Sequence, residues 1–129
     1  MPRFQRISQK FIRRLAALTG DKHVLTARGD TQPYSHDETE DLVFFPDAVV
    51  RPGNTGEVAA VIRLCNEFHV PVTPSGARTG LSGGALPVCG GLVLSMERFN
   101  RIIEIDTRNL QATAEPGVIT QVFQEEVVK

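Results

Sequence analysis

The sequence has 129 residues, a length typical of one domain with a sizeable hydrophobic core. Its 41% hydrophobic and 22% charged residues are ordinary for a globular protein, and a net charge of −1 gives no support to nucleic-acid binding. No apolar run approaches the roughly 18 residues that span a bilayer. The two cysteines form no C-x-x-C pair, which argues against a disulfide framework or a zinc site and favours a reducing, cytoplasmic compartment.

Residues 1–20 are basic and amphipathic, without an acidic residue. The apolar residues recur at helical spacing: Phe4, Ile7, Phe11, Leu15 and Leu18. This pattern predicts a helix over residues 5–19 that ends at Gly20. An Arg-rich, acid-poor start is also typical of a mitochondrial transit peptide, but the single serine favours a packed helix. Residues 21–47 are polar and rich in turn-forming residues, which predicts a surface loop with a short helical turn.

The middle of the chain has a strand–helix–strand pattern. Residues 48–50 form a short apolar strand, which Pro52-Gly53 ends. A helix follows from Asn54 or Thr55, and its apolar positions have helical spacing: Val58, Val61, Ile62, Cys65 and Phe68. A second strand covers residues 70–73, so the two strands should run parallel.

Three further strands are predicted over residues 91–95, 102–105 and 111–114. Because these strands follow one another closely, we expect them to pair as an antiparallel meander with an open edge. Residues 119–128 begin a helix, and we expect the chain to be a fragment because it ends inside that element. An open edge of this kind could favour a homodimer.

A glycine-rich loop lies between the second and third strands, with glycines at positions 76, 80, 83 and 84. Glycine lets a ligand approach the backbone, and consecutive N–H groups can bind an anion. The loop is not a Walker sequence, which ends in Gly-Lys-Ser/Thr, and Arg78 occupies the middle glycine position of a Rossmann motif. From these residues alone, a nucleotide-phosphate loop and a structural glycine-rich turn are equally compatible.

Four segments in order carry a resemblance to a known family: 50–52 with the helix that follows, 70–85, 98–106 and 114–118. They resemble the FAD-binding domain of the PCMH-type (vanillyl-alcohol-oxidase-like) flavoproteins. The resemblance is to the branch of the glycolate oxidase D subunit, D-lactate dehydrogenase and D-2-hydroxyglutarate dehydrogenase. It implies an α+β fold, in which a βαβ subdomain with parallel strands precedes the start of an antiparallel sheet. Residues 1–35 would form an N-terminal helix and polar loop, and residues 36–129 the first part of the FAD-binding domain.

The resemblance implies FAD as the cofactor. Residues 75–82 would wrap its diphosphate, largely through backbone N–H groups, and Pro116-Gly117 would lie beside the flavin. The cofactor-binding residues implied are Pro74, Ser75, Gly76, Ala77, Arg78, Thr79, Gly80, Leu81, Ser82, Pro116 and Gly117. The family commonly has Arg at the position of Ser75 and Gly at the position of Arg78. The cation in this chain therefore lies three residues later in the loop.

The resemblance also implies that the full-length protein oxidises a D-2-hydroxy acid of the glycolate or D-lactate type, with hydride passing to flavin N5. Substrate-binding residues of the family lie in a C-terminal part that residues 1–129 do not include. We therefore expect this chain to be inactive alone and assign it no catalytic residue. One alternative is a non-catalytic FAD-binding or assembly module within a multi-subunit oxidase. Another is a related flavoenzyme for an aromatic alcohol or an aldonolactone.

The remaining reactive side chains give weaker indications. His23, His36 and His69 are scattered and predict surface or capping roles, with no metal site. The segment Tyr34-Ser35-His36-Asp37 falls where the family chain runs towards the flavin, which hints at cofactor contact. Helical periodicity predicts that Cys65 is buried and inert, whereas Cys89 lies in an exposed turn.

Overall fold

The computed structural model describes residues 3–129 and has two parts, a helix-covered sheet and a hairpin with its own helix. Short 3₁₀ turns at Asp21–His23 and Gln32–Tyr34 join the first elements. The helices and strands are α1 (Gln9–Thr19), β1 (Val24–Leu25), α2 (Arg28–Thr31), β2 (Ala48–Val50), α3 (Thr55–Phe68), β3 (Val72–Ser75), β4 (Leu92–Ser95), β5 (Ile102–Asp106), β6 (Gln111–Ala114) and α4 (Thr120–Val127).

Helix α1 begins later than its apolar pattern predicted. The Ser8 hydroxyl accepts a hydrogen bond of 3.1 Å from the Phe11 N–H and so caps the helix there. The preceding chain is held outside the helix, because the Gln5 N–H donates to the His69 carbonyl at 2.9 Å. Gly20 ends the helix as predicted, with a φ of +92° that suits glycine.

The polar stretch 21–47 contains a strand that the sequence did not reveal. Strand β1 pairs antiparallel with β2 and places Val24 opposite Val50 and Leu25 opposite Val49. The prediction of an irregular loop was wrong at these positions. A strand of two residues is too short for alternation of apolar and polar side chains to be recognised.

The sheet has the strand order β1-β2-β4-β3, and β4 is parallel to both of its neighbours. The strands β2 and β3 are parallel, as the strand–helix–strand pattern predicted, but β4 lies between them. The prediction that β4 joins an antiparallel meander was therefore wrong. Residues 76–91 are long enough to form the crossover that a parallel neighbour needs, although they contain no helix.

The hydrophobic core lies mainly between one face of this sheet and helices α1 and α3. The fully or almost fully buried side chains of this core are Phe11, Leu15, Ala48, Val50, Val61, Leu64, Cys65, Val70, Leu92 and Leu94. The opposite face is smaller and contains Val49 and Val93 packed with Tyr34. Because both faces of the sheet are covered, β4 is buried at every position, and its Leu-Val-Leu sequence is a continuous apolar run.

The strands β5 and β6 form a separate antiparallel hairpin with an irregularity between Ile102 and Glu104. This part of the predicted meander and the helix after it are confirmed, and α4 begins at Thr120. Ile105, Phe123 and Val127 line a cleft of about 350 Å³ between the hairpin and α4. The combination of a parallel-stranded sheet and an antiparallel sheet confirms the predicted α+β class.

The two cysteines lie as predicted. Cys65 is 2% exposed in the core, and burial raises the pKa of its thiol to about 11, so that it stays neutral. Cys89 is exposed, and both thiols are free. Between residues 3 and 129, no helix combines the length and the apolar character needed to cross a membrane.

Candidate functional site

The candidate site lies at the carboxyl ends of the parallel strands. Because β2, β4 and β3 run in the same direction, the residues that follow them meet at one edge of the sheet. Arg51 follows β2, Gly76 follows β3, and Glu97 lies two residues beyond β4. Ligands of open α/β sheets characteristically bind at this edge.

The glycine loop begins at this edge and leaves its backbone available. Within the described chain, the backbone N–H groups of Gly76 to Ser82 donate no hydrogen bond to another protein group. These residues are half-buried or exposed, and the Leu81 side chain is 75% exposed. Consecutive backbone donors without protein acceptors can form the kind of concavity that binds an anion.

The two ends of the crossover are fixed although its centre is irregular. The Met96 N–H donates to the Ser75 carbonyl at 2.8 Å, which holds the start of the loop against β4. At the far end, the Gly91 N–H donates to Asp47 Oδ2 at 2.8 Å. Gly90 and Gly91 have φ values of +67° and +74°, which a side chain would strain.

Arg78 adopts a left-handed conformation, with a φ of +60°. Its guanidinium carbon lies 4.3 Å from the centre of the Tyr34 ring, within the range of a cation–π interaction. The Tyr34 hydroxyl donates to Glu97 Oε1 at 2.6 Å. Burial, followed by the Glu97 carboxylate, raises the pKa of Tyr34, so this hydroxyl remains a neutral donor. The buried Tyr34 ring therefore holds the Arg78 guanidinium beside the candidate site.

Ser75 is the last residue of β3 and is 2% exposed. It lies in register with Ser95 of β4. Among the described residues, no group makes a hydrogen bond with the buried Ser75 hydroxyl oxygen. A buried polar atom without a partner carries a free-energy cost, so this hydroxyl has unused capacity for a bound ligand.

The Pro116–Gly117 turn lies directly against the start of the loop. A Cβ added to Gly76 would lie 3.4 Å from the Pro116 carbonyl oxygen. The Gly117 N–H donates to the Phe99 carbonyl at 2.7 Å, and a Cβ on Gly117 would overlap the Met96 carbonyl. The two segments predicted from the sequence to bind the cofactor are thus adjacent in space. Sequence reasoning did not identify Glu97 or Thr39, which contact this site.

The histidines take minor positions. His69 is the left-handed C-cap of α3, with a φ of 53°, which agrees with the predicted capping role. His36 is exposed, and its Nδ1 lies 3.4 Å from the Ser35 hydroxyl. Across residues 3–129, no group of three or more His, Cys, Asp or Glu side chains could hold a metal ion.

The donors at this edge fit a diphosphate group. Backbone N–H groups, the Ser75 hydroxyl and the Arg78 guanidinium can all interact with phosphate oxygens. The glycines at 76 and 80 leave the backbone accessible, and a Cβ at Gly80 would meet no atom within 4 Å. The arrangement therefore fits the diphosphate of a dinucleotide such as FAD.

Residues 46–129 match the family described as "FAD binding domain". The chain is 48% identical over 87 residues to glycolate oxidase subunit GlcD of Bacillus subtilis (strain 168), covering 67% of this chain and 18% of that protein. It is 38% identical over 112 residues to D-lactate dehydrogenase of Anaerostipes hadrus, covering 84% of this chain and 23% of that protein.

The fold is also that of a solved structure, p-cresol methylhydroxylase with substrate bound. The TM-score is 0.81 at 29% identity, and the match covers 95% of this chain and 25% of that one. The chain thus spans less than a quarter of the two relatives' length. The matched family covers most of the sequence, and it confirms the resemblance and the cofactor that the resemblance implied. The chain belongs to the FAD-binding domain family of PCMH-type flavoproteins, and its cofactor is FAD.

Proposed function

We propose that the carboxyl edge of the parallel sheet holds the diphosphate of FAD for a flavin-dependent oxidoreductase. The observation that carries the proposal is the run of free backbone N–H groups from Gly76 to Ser82 beside the Pro116–Gly117 turn. The Arg78 guanidinium supplies the positive charge, and charge-assisted hydrogen bonds to phosphate are stronger than neutral ones. The partnerless Ser75 hydroxyl adds a donor at the base of the loop.

The remaining residues of the predicted set have supporting roles in this proposal. Pro74 lies in β3, an edge strand, where its lack of an N–H is tolerated. Thr79 and Ser82 add hydroxyl groups next to free amides, and Ala77 is small enough to leave the backbone accessible. Leu81 exposes an apolar side chain that FAD or another part of the protein would cover. Pro116 and Gly117 bring a second loop beside the cofactor.

A pair of glycine substitutions tests the diphosphate site. A Cβ added at Gly80 or at Gly84 would meet no atom within 4 Å, so alanine at either site leaves the protein's own packing unchanged. We expect Gly80→Ala to raise the Kd for FAD about ten-fold, because a methyl group among the free amides would hinder close approach of the diphosphate to the backbone. Gly84→Ala, beyond the free amides, is the matched control. Flavin fluorescence measures both Kd values, and equal affinities for the two variants would contradict the proposal.

A second test uses the ligand instead of the protein. FAD contains a diphosphate, whereas FMN contains a single phosphate and no adenosine. A diphosphate site should bind FAD more tightly than FMN, and ADP should compete with FAD. If FMN bound as tightly as FAD and ADP had no effect, the anion site would not be a diphosphate site.

We further propose that the complete protein oxidises a D-2-hydroxy acid of the glycolate or D-lactate type in the cytoplasm. The two relatives above support this substrate class, since one is a glycolate oxidase subunit and the other a D-lactate dehydrogenase. FAD supplies hydride acceptance at N5 when bound, and the residues of this chain hold and orient it. The exposed free thiol of Cys89 agrees with a reducing compartment.

The activity proposal has a direct assay. With FAD, a dye acceptor and a panel of 2-hydroxy acids, we expect no turnover from residues 1–129 alone. We expect D-specific turnover from the longer protein that contains this sequence. Robust turnover by residues 1–129 would show that substrate-binding residues are present here. Binding of FAD without turnover by the longer protein would favour a non-catalytic module.

A further inference from the structure

Residues 34–39, here called the clasp, contact the glycine loop from outside the matched family range of 46–129. The Glu38 N–H donates to the Gly80 carbonyl at 3.1 Å. The Gly83 N–H donates to the Thr39 hydroxyl at 3.0 Å. Together with the Tyr34 ring against Arg78, these contacts reach the loop at three successive places. They leave the free amides of the loop unoccupied.

The clasp is itself firmly held. Tyr34, Ser35 and Asp37 are at most 7% exposed. The Phe44 N–H donates to the Ser35 carbonyl at 2.8 Å, and the Tyr34 hydroxyl is fixed by Glu97. The Thr39 N–H donates to Asp37 Oδ1 at 2.8 Å. Hydrogen bonds from the Thr39 side chain and backbone hold the pKa of Asp37 below its usual range, so this carboxylate stays ionised and keeps Thr39 in place.

A glycine-rich loop loses much conformational freedom when it becomes ordered around a ligand. If that order already exists in the free protein, the binding free energy is not reduced by the cost of ordering. We propose that the clasp positions the glycine loop for the FAD diphosphate, with Tyr34, Glu38 and Thr39 as positioning residues. This inference rests on the proposed function of the loop.

Substitutions at Thr39 test the inference, because its hydroxyl can be removed or kept. Thr39→Val has a similar shape but accepts no hydrogen bond from Gly83, whereas Thr39→Ser retains the hydroxyl. Thr39→Val removes both the neutral hydrogen bond from Gly83 and the side-chain hydrogen bond to the Asp37 carboxylate. Loss of the neutral bond alone corresponds to about a five-fold effect, so we expect Thr39→Val to raise the Kd for FAD at least about five-fold and Thr39→Ser to restore it. Thr31→Val is a structural control, because among residues 3–129 the buried Thr31 hydroxyl bonds only within its own turn, to the Arg28 carbonyl at 3.3 Å.

A second readout does not require FAD. Trypsin needs a mobile backbone and a free arginine side chain, so we expect opening of the loop and release of Arg78 from Tyr34 to speed cleavage after Arg78. We expect Thr39→Val to speed cleavage of the Arg78–Thr79 bond in the free protein, while Thr39→Ser and Thr31→Val leave its rate unchanged. Cleavage after Arg108 in the β5–β6 turn, measured in the same digests by mass spectrometry, is the internal reference.

The outcomes separate the two proposals. Equal cleavage rates and equal Kd values for Thr39→Val and Thr39→Ser would overturn the clasp, whatever the affinity of the loop. A Thr31→Val variant that weakens FAD binding as much as Thr39→Val would also overturn it, because general destabilisation would explain both. If no variant, including the wild type, binds FAD, the proposed function of this chain fails, and the cleavage rates alone decide whether the clasp orders the loop.

Discussion

The parallel sheet and the β5–β6 hairpin differ in how they bury their strands. Strands β2 and β4 are buried at every residue, because helices cover one face of the sheet and the Tyr34 region covers the other. Strand β6 is exposed throughout, and Ile103 of β5 is 62% exposed. The glycine loop therefore extends from a well-packed sheet, whereas the Pro116–Gly117 side of the site belongs to a region with little core of its own.

The largest expected contrast is between matched truncations in the two regions. Leu92 is fully buried at the centre of the sheet, so Leu92→Ala should lower the free energy of unfolding by about 3 kcal/mol. Ile103→Ala on the exposed side of β5 should change it by less than about 0.5 kcal/mol. Urea denaturation measures both. Equal losses would mean that the hairpin has a core comparable with that of the sheet.

The contact between the sheet and the hairpin region should be intolerant of a side chain at Gly117. Its Cβ would meet the carbonyl oxygens of Met96 and Phe99, which cannot move without shifting the backbone. We expect Gly117→Ala to cost about 2 kcal/mol. Gly53→Ala is the control, because the atoms nearest to its Cβ belong to the flexible end of the Arg98 side chain, the first at 2.5 Å. A thermal unfolding series that ranked Gly53→Ala as the more damaging change would contradict this assignment.

Each region also contains a residue in the left-handed conformation, Arg78 in the glycine loop and Leu110 in the hairpin turn. Glycine relieves the strain at either position, so neither substitution should lower stability by more than about 0.5 kcal/mol. Only Arg78→Gly should weaken FAD binding, by about five-fold, because a cation is lost. Titration of FAD against both variants distinguishes them. Unchanged affinity in Arg78→Gly would remove Arg78 from the diphosphate site.

The smallest expected effect is the response of the hairpin to acid. Hydrogen bonds from the Arg101 side chain, then from its backbone, hold the pKa of Glu115 below its usual range. A lowered pKa in the folded state stabilises the protein above the unfolded pKa, and this contribution is lost as pH falls through the folded value. Glu115→Gln should therefore be less stable than wild type near neutral pH, and the difference should shrink as the pH falls below the ordinary glutamate pKa of about 4.3. Hydrogen exchange of the β5 and β6 amides at each pH tests this; a constant difference would contradict it.

The sequence predicted the elements whose pattern is local. Residues 48–50 form β2, and Asn54 caps α3 by accepting a hydrogen bond from the Glu57 N–H. The position of β4 was not predictable from local spacing. Whether this strand pairs with β5 or enters the parallel sheet depends on which of its two faces other parts of the chain cover. Its unbroken Leu-Val-Leu run was the available signal for a strand buried on both sides.

The contacts of the clasp depend on residues far apart in the chain. The Tyr34 hydroxyl bonds to Glu97, and the Thr39 hydroxyl accepts a hydrogen bond from Gly83. The paired residues are so far apart in the sequence that helical or strand periodicity cannot predict these contacts. The left-handed backbone of Arg78 is likewise a property of the folded loop. The sequence indicated that Tyr34 lies near the cofactor side, but not that it stacks on the loop's cation.

The central position of β4 has a consequence for synthesis on the ribosome. This strand is made after β2 and β3 but lies between them, so β3 has no partner strand until residues 92–95 emerge. The glycine loop is the tether that must close for the sheet to form, and long-range parallel pairing is slow compared with local folding. Residues that order the loop before FAD arrives should thus also speed closure of this sheet in the nascent chain.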